Sequence, residues 1–303
     1  MGVPRFLLDR FKEEPKKLRL LRSLALGSKG GNRQVTSRDG TVLSVRCTGH
    51  GDPIVCVHGT VDGIGAFSLL ELELAERHAV WVYDRRGRGG SRDTAPYSLE
   101  REVEDLQSVL VDVGEPAHVV GHSFGAVLAL RAAVEATPMR SLVLYEPPLH
   151  TEHLTESDVA RVREEIERGD LADALRTMAT GLAGISPAEV DVALAVPPLR
   201  KQLLDGVRST PRELDALRST PWPTDRLPLT GVPTLVLRGE RTDVAAYPRP
   251  DQVPSWVAGA EVQTLPGQDH LAMSFGPRDL AARILAFVDR NDNPPSVTGP
   301  ALP

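Results

Sequence analysis

The chain has 303 residues, with 35 Lys and Arg against 41 Asp and Glu, and its net charge at pH 7 is -6. This acidic balance argues against nucleic acid as the main partner, while a hydrophobic content of 41% is enough for a sizeable core. Cys47 and Cys56 are its two cysteines, too few for a disulfide framework or a cysteine-based zinc site.

The first 32 residues differ from the rest. Residues 1–30 contain eight Lys and Arg and three acidic residues, and large apolar residues recur at spacings of three or four on either side of Pro15. We predict a basic helical segment over 1–32 that packs on the body of the protein or on a twin subunit; attachment to an anionic membrane and a loose tail are the alternatives. No apolar run is long enough for a membrane span or a signal peptide, so we expect a cytoplasmic protein without stable membrane insertion.

From residue 33 the pattern alternates short β-rich runs with amphipathic stretches, and the first two runs flank the turn signal Asp39-Gly40. The predicted strands are 33–37, 41–46, 54–57, 79–83, 118–120 and 142–145, and the predicted helices are 66–77, 99–113 and a stretch from Ala126. Continuous apolar runs are typical of parallel strands buried on both faces, with helices as crossovers. The predicted fold class is therefore α/β, a mostly parallel sheet flanked by helices after an antiparallel entry hairpin.

A stretch with helical patterns only interrupts this alternation after the sixth strand. Its predicted helices are 157–168, 170–182, 187–194 and 198–217. Such an insertion is typical of a lid over the sheet, and the core pattern then resumes with strands 234–237 and 261–265 and a helix 278–289. We therefore predict a core of 33–149 and 229–290, a helical cap of 150–228 and a disordered, proline-rich tail of 291–303.

The sharpest chemical signal is the pentapeptide Gly121-His-Ser123-Phe-Gly125, between the apolar run 117–120 and the small-residue helix from Ala126. A strand-to-helix turn this tight strains its central residue, and glycines on both sides remove Cβ atoms that would clash. The turn lifts the Ser123 hydroxyl above the sheet, beside a helix N-terminus that favours developing negative charge. Ser123 is therefore the predicted nucleophile; an incidental serine in a glycine-rich turn is the alternative.

A serine nucleophile needs a base to take its proton, and eight histidines are available. Ligands and catalysis gather at the carboxyl ends of parallel strands. His270 follows the last predicted strand by five residues and falls at that edge, whereas His78 and His118 lie at strand starts, the opposite edge. His122 lies within the turn with its side chain directed away from that of Ser123, so His270 is the predicted base.

The base in turn needs a carboxylate that holds its tautomer and offsets the charge it gains. Asp243 follows the strand 234–237 at a carboxyl end and is the predicted acid. Glu240, in the same loop, and Glu146, directly after the strand 142–145, are the competing carboxylates.

A tetrahedral intermediate needs backbone amides that donate hydrogen bonds to its oxyanion. The amide of Phe124, directly after the nucleophile, is one predicted donor. The loop after the strand 54–57 should supply the second, because Gly59 lets the chain turn so that the amide of Thr60, or that of Val61, faces Ser123. His58 is predicted to brace this loop rather than to transfer protons.

Together these motifs resemble an α/β-hydrolase-fold serine hydrolase with a cap, over roughly residues 33–290. The segment from Asp84 to Ser91 is similar to that family's D-x-R-G-x-G-x-S loop, with Gly90 where an Asp is common. The chain also keeps the family order of serine, acid and histidine. The resemblance implies an α/β-hydrolase sheet, no metal or other cofactor, the triad Ser123, Asp243 and His270, and the oxyanion donors Thr60 and Phe124.

Three hypotheses for the function remain open at this point. The first is hydrolysis of a carboxylic ester, thioester or lactone of a small-to-medium apolar substrate through an acyl-enzyme. The second uses the same triad for cyclisation, acyl transfer or C–C cleavage, and the third is a ligand-binding module with vestigial turnover. We expect a small-molecule substrate and, if the chain pairs with a second copy, a homodimer contact through the N-terminal segment or the cap.

Overall fold

The computed structural model describes residues 31–149, 154–219, 231–242 and 259–292. Residues 1–30 of the predicted basic segment and residues 293–303 of the predicted tail lie outside the described residues, so both remain predictions. The described part of the tail continues the last helix as far as Asp292.

One sheet of eight strands organises the chain, in the spatial order β1-β2-β4-β3-β5-β6-β7-β8. β1 and β2 form an antiparallel hairpin, β2 pairs antiparallel with β4, and every other neighbouring pair is parallel. This arrangement confirms the predicted mostly parallel α/β sheet. The strands are β1 Gly31–Thr36, β2 Val42–Thr48, β3 Pro53–Val57, β4 Ala79–Tyr83, β5 His118–His122, β6 Ser141–Tyr145, β7 Thr234–Gly239 and β8 Glu261–Leu265.

Helices cover both faces of the sheet. Among the described residues, those outside the cap are α1 Ser68–Leu74, α2 Leu99–Val113, α3 Phe124–Val134, α9 Ala272–Phe275 and α10 Pro277–Asp292, with a 3-10 turn Ile64–Phe67 before α1. α2 and α3 contribute to one apolar cluster, while α1 and α10 contribute to the other. Successive residues of β5 show the division, because Val119 belongs to the first cluster and Val120 to the second.

Five helices lie in the described parts of the chain between β6 and β7, and we call them the cap. They are α4 Glu156–Glu167, α5 Leu171–Arg176, α6 Pro187–Leu194, α7 Pro197–Val207 and α8 Thr210–Ser219. Their own small core includes Val162, Leu175, Val190 and Val207, and it packs on Val61 of the sheet domain. None of the described helices is long and apolar enough to cross a membrane.

Two predicted cap helices differ from the structure. The predicted helix 198–217 is two helices, α7 and α8, because Pro211 lacks an amide hydrogen and fits only the first turn of a new helix. The predicted helix 170–182 begins as α5 and continues as a π-helical turn, Thr177–Leu182.

The start of α3 packs directly against the end of β3. A Cβ atom at Gly125 would collide with the carbonyl oxygen of Val57, and one at Gly121 would lie 2.5 Å from the Cα of Ala126. Glycine at these two positions therefore lets β5 turn into α3 without displacing β3.

Gly125→Ala should lower the free energy of unfolding by about 1–3 kcal/mol, because the new methyl group meets rigid backbone. Gly181→Ala is the matched control, since its Cβ would meet no atom within 4 Å. Urea unfolding of both variants measures the difference. Equal stabilities for the two variants would contradict the proposed crowding at the start of α3.

Candidate active site

Ser123 occupies the sharp turn between β5 and α3. Its backbone has φ 51° and ψ -123°, a left-handed φ that is uncommon for residues with a side chain. Two hydrogen bonds hold the turn: the Ser123 amide donates to the Tyr145 carbonyl oxygen at 2.9 Å, and the Ala126 amide donates to the Ser123 carbonyl oxygen at 2.9 Å. The strained turn thus sits at the carboxyl end of β5, as the sequence motif predicted.

Glu146 is the described carboxylate that contacts His270. His270 Nδ1 lies 2.7 Å from Glu146 Oε2, and the Glu146 side chain is fully buried. The amide of Gly239 donates to the other carboxylate oxygen at 2.8 Å, so the carboxylate is oriented from both sides. Glu146 also has a left-handed φ of 49°, the same kind of turn that Ser123 makes on the neighbouring strand.

Glu240 and Asp243 are the other two carboxylates that the sequence offers as partners of His270. Glu240 is exposed, and its Oε2 accepts a hydrogen bond from the Gly267 amide at 2.7 Å. Asp243 lies outside the described residues, so its assignment as the acid remains a prediction.

His122 and Tyr145 hold the segment that carries His270. His122 Nε2 lies 3.1 Å from the His270 carbonyl oxygen, and the Tyr145 hydroxyl donates to the Asp269 carbonyl oxygen. The His122 ring stacks on Tyr145 with 5.4 Å between the ring centroids. Burial lowers the pKa of His122 well below its usual range, so this ring is a neutral support at neutral pH.

The loop after β3 approaches Ser123 closely. A Cβ atom at Gly59 would lie 3.1 Å from the Ser123 Cβ, and Val61 has a left-handed φ of 61°. Within the described part of the chain, the amides of Thr60, Val61 and Phe124 donate to no protein acceptor. These unsatisfied amide donors flank Ser123 in sequence and in space, as an oxyanion site requires.

Arg85 ties this loop to the nucleophile turn and to the cap. Its Nη2 lies 2.6 Å from Glu102 and 2.7 Å from Glu213 of α8, and its Nη1 donates to the Gly59 carbonyl oxygen at 3.1 Å. The guanidinium also lies over the Phe124 ring, 4.4 Å from its centroid. Arg85, Glu102 and Glu213 are fully buried, so this ion-pair cluster is shielded from solvent.

Uncharged His58 links the loop after β3 to the loop after β4, which begins with Asp84 and Arg85. Its Nε2 accepts a hydrogen bond from the Arg85 amide at 3.0 Å, and its Nδ1 lies 2.9 Å from the Gly59 carbonyl oxygen. Burial, reinforced by the positive charge of Arg85, lowers the pKa of His58 well below its usual range. His58 therefore acts as a fixed brace between the two loops.

Asp62 adds a carboxyl group that the sequence analysis did not single out. Its Oδ2 lies 3.8 Å from His122 Nδ1, and its side chain is 20% exposed. Burial raises the pKa of Asp62 to about 6, although His270 and Arg88 act in the opposite direction. It lines a cavity of about 350 Å³ between the loop after β3, the loop after β4 and α7. The only feature of the sequence that pointed to Asp62 was its position in the loop after β3, three residues after Gly59.

The described side chains that lie close enough together to bind a metal ion are away from this site. Among the described residues, the one group of three His or carboxylate side chains close enough to share an ion is His78, Asp289 and Asp292. His78 directly precedes β4, so this group lies at the sheet edge opposite Ser123.

A family model described as the alpha/beta hydrolase family matches residues 54–283. The match covers more than half of the chain and contains Ser123, Glu146 and His270. The chain therefore belongs to the alpha/beta hydrolase family, which confirms the resemblance inferred from its motifs.

Individual relatives agree with this assignment. The chain is 32% identical over 118 residues to proline iminopeptidase from Heyndrickxia coagulans, covering 37% of this chain and 41% of that protein. It is 33% identical over 151 residues to lipase LipV from Mycobacterium tuberculosis, covering 46% and 55% respectively. A solved alpha/beta hydrolase from Sphaerobacter thermophilus matches with a TM-score of 0.74 at 29% identity, covering 84% of this chain and 100% of that one. Because the matches span only about half the length of these curated relatives, neither activity transfers directly to this chain.

Asp62→Asn should change how folding stability depends on pH. The carboxyl ionises at a pKa of 3.8 when unfolded and about 6 when folded, so the wild type loses stability as the pH rises between these values. The loss at this group totals about 3 kcal/mol, of which about 1–2 kcal/mol falls between pH 5 and pH 8. The advantage of Asp62→Asn over the wild type should therefore grow by that amount between pH 5 and pH 8.

Urea unfolding at the two pH values measures this change. Asp205→Asn is the control, because its carboxylate lines the same cavity but is 61% exposed. A difference between Asp62→Asn and the wild type that does not vary with pH would show that Asp62 ionises as it does in the unfolded chain.

Proposed function

We propose that the chain hydrolyses a carboxylic ester, thioester or lactone through an acyl-enzyme on Ser123. The observation that carries this proposal is a strained serine turn after β5 beside a buried contact between a carboxylate after β6 and a histidine after β8. Ser123 ends β5, Glu146 ends β6, and His270 Nδ1 lies 2.7 Å from the Glu146 carboxylate. A serine hydroxyl becomes an effective nucleophile when a base held in one tautomer can take its proton.

In this proposal, Ser123 Oγ attacks the substrate carbonyl while His270 Nε2 takes the hydroxyl proton. Glu146 accepts the hydrogen bond from His270 Nδ1–H and offsets the positive charge that the ring gains. The amide of Phe124 and one amide of the Thr60–Val61 pair stabilise the oxyanion. His270 then protonates the leaving group, and the same steps with water as nucleophile release the acid and restore Ser123.

Glu146 is our proposed orienting acid. Its support is direct contact: one carboxylate oxygen faces His270 Nδ1, and the other accepts from the Gly239 amide. The sequence prediction of Asp243 remains the competing assignment, and a pair of variants separates the two.

The proposed substrate carries a small-to-medium acyl group. Ser123 is 9% exposed and His270 is 6% exposed, which favours a compact group next to the proposed nucleophile. A relative named as a peptidase and another named as a lipase both fit hydrolysis of an acyl carbonyl.

Treatment with a small fluorophosphonate should add one adduct per chain to the wild type and none to Ser123→Ala, read by intact mass. Ser274→Ala should label like the wild type, because Ser274 lies in α9 and has no proposed role. A panel of esters, thioesters and lactones then identifies the substrate class. Failure of the folded wild type to label, or labelling of Ser123→Ala, would overturn the proposal.

Glu146→Gln should lower kcat by roughly 10⁴-fold, because the amide no longer favours the reactive tautomer of His270. Asp243→Asn should leave kcat within about threefold of the wild type. Initial rates on the best ester of the panel measure both values. The reverse pattern would assign the orienting role to Asp243 and leave the proposed hydrolysis intact.

A further inference from the structure

At the sheet edge opposite Ser123, three side chains converge with no role in the proposed reaction. His78 directly precedes β4, and Asp289 and Asp292 lie three residues apart in the last turn of α10. This spacing puts both carboxylates on one face of the helix. A ring nitrogen of His78 and one oxygen of each carboxylate all lie within 4.8 Å of one another.

The hydrogen bonding of His78 leaves one nitrogen available to a cation. His78 Nδ1 lies 3.1 Å from the Asp52 carbonyl oxygen, which can only accept, so Nδ1 carries the hydrogen. Nε2 of the neutral ring then has a lone pair, and it is buried without a hydrogen-bond partner among the described residues. The side chain is 5% exposed, and Nε2 faces Asp289 Oδ1 at 4.0 Å. A donor or a cation between the lone pair and the carboxylate, such as a water molecule or a metal ion, would stabilise this arrangement.

The second carboxylate is oriented in the way that metal ligands usually are. His118 Nε2 lies 2.7 Å from Asp292 Oδ1, and the other nitrogen of that ring lies 2.7 Å from the Ser141 hydroxyl. Arg140 donates to the same Asp292 oxygen at 3.3 Å. Asp292 Oδ2 thus remains for a ligand, while the surrounding groups fix the carboxylate.

The local charge also favours a divalent ion. Among the described residues, two guanidiniums are paired with four carboxylates in this cluster: Arg77 and Arg140 with Asp52, Glu115, Asp289 and Asp292. The excess of two negative charges equals the charge of one divalent cation.

We propose that His78, Asp289 and Asp292 bind one divalent transition-metal ion of the zinc type, with water completing the coordination. One imidazole and two carboxylates form a donor set that suits Zn²⁺. Ligand atoms around tetrahedral Zn²⁺ lie about 3.3 Å apart, so the three groups must draw closer by about 1 Å. Asp289 is 38% exposed and accepts two hydrogen bonds from Arg77, at 3.0 Å and 3.1 Å, so binding the ion requires it to give up one of these bonds. The bound ion joins the end of α10 to the start of β4 and stabilises the fold without taking part in hydrolysis.

Calorimetric titration of the EDTA-treated full chain with ZnCl₂ tests the site, and thermal unfolding with and without Zn²⁺ tests its effect on the fold. We expect one tight site and a higher unfolding temperature with the metal. His78→Gln and Asp292→Asn should each weaken binding at least about tenfold. Asp289→Asn provides a third ligand variant, at a half-exposed position, should either of the others fail to fold.

Two controls distinguish this site from other histidines. His50→Gln, at an exposed turn, and His270→Gln, in the proposed active site, should both retain the tight Zn²⁺ site. Absence of tight binding to the wild type, or tight binding that survives all three ligand variants, would overturn the proposal. Fluorophosphonate labelling of Ser123 is independent of this result, so failure of the metal site is distinguishable from failure of the proposed hydrolysis.

Discussion

The active-site geometry depends on two neighbouring strands that end in the same strained backbone conformation. Ser123 after β5 and Glu146 after β6 both have a left-handed φ, which costs on the order of 1–3 kcal/mol per residue. Hydrogen bonds from their amides to Tyr145 and Leu237 connect each turn to the next strand along the sheet. Because parallel strands fix the spacing of their ends, the Ser123 turn and the Glu146 turn are held at one distance from each other.

Most of the side chains around these two turns hold backbone segments in place and have no proposed part in the reaction. Two neutral, buried histidines hold backbone segments: His122 contacts the carbonyl of His270, and His58 accepts from the amide of Arg85. Their suppressed protonation keeps these contacts constant across the neutral pH range. Asp62 is different, since its pKa of about 6 places its charge change inside that range and close to His122.

The sequence was sufficient to predict the mostly parallel sheet, because alternating apolar and amphipathic stretches form a local pattern. The roles of Ser123 and His270 were predicted from which strand ends share an edge, and they remain predictions. The carboxylate partner was harder to predict. Asp243 and Glu146 both follow strands at that edge, and only the folded chain shows that Glu146 reaches His270 Nδ1. The role of Arg85 was equally hidden, because its partner Glu213 lies 128 residues away in α8. Contacts between segments that are far apart in the chain do not produce a periodic pattern in the sequence, so they could not be predicted from it.

The fully buried contact between Arg85 and Glu213 has a consequence for how substrates enter. Moving α8 away from the sheet would separate two fully buried charges, and removing one partner of such a pair typically costs about 3–5 kcal/mol. At that cost an opened cap would be present in about one molecule in 10² to 10⁴. Under the proposed function, a substrate is therefore expected to reach Ser123 through small side-chain displacements while the cap stays closed. The width of that entrance would then decide which substrates are accepted.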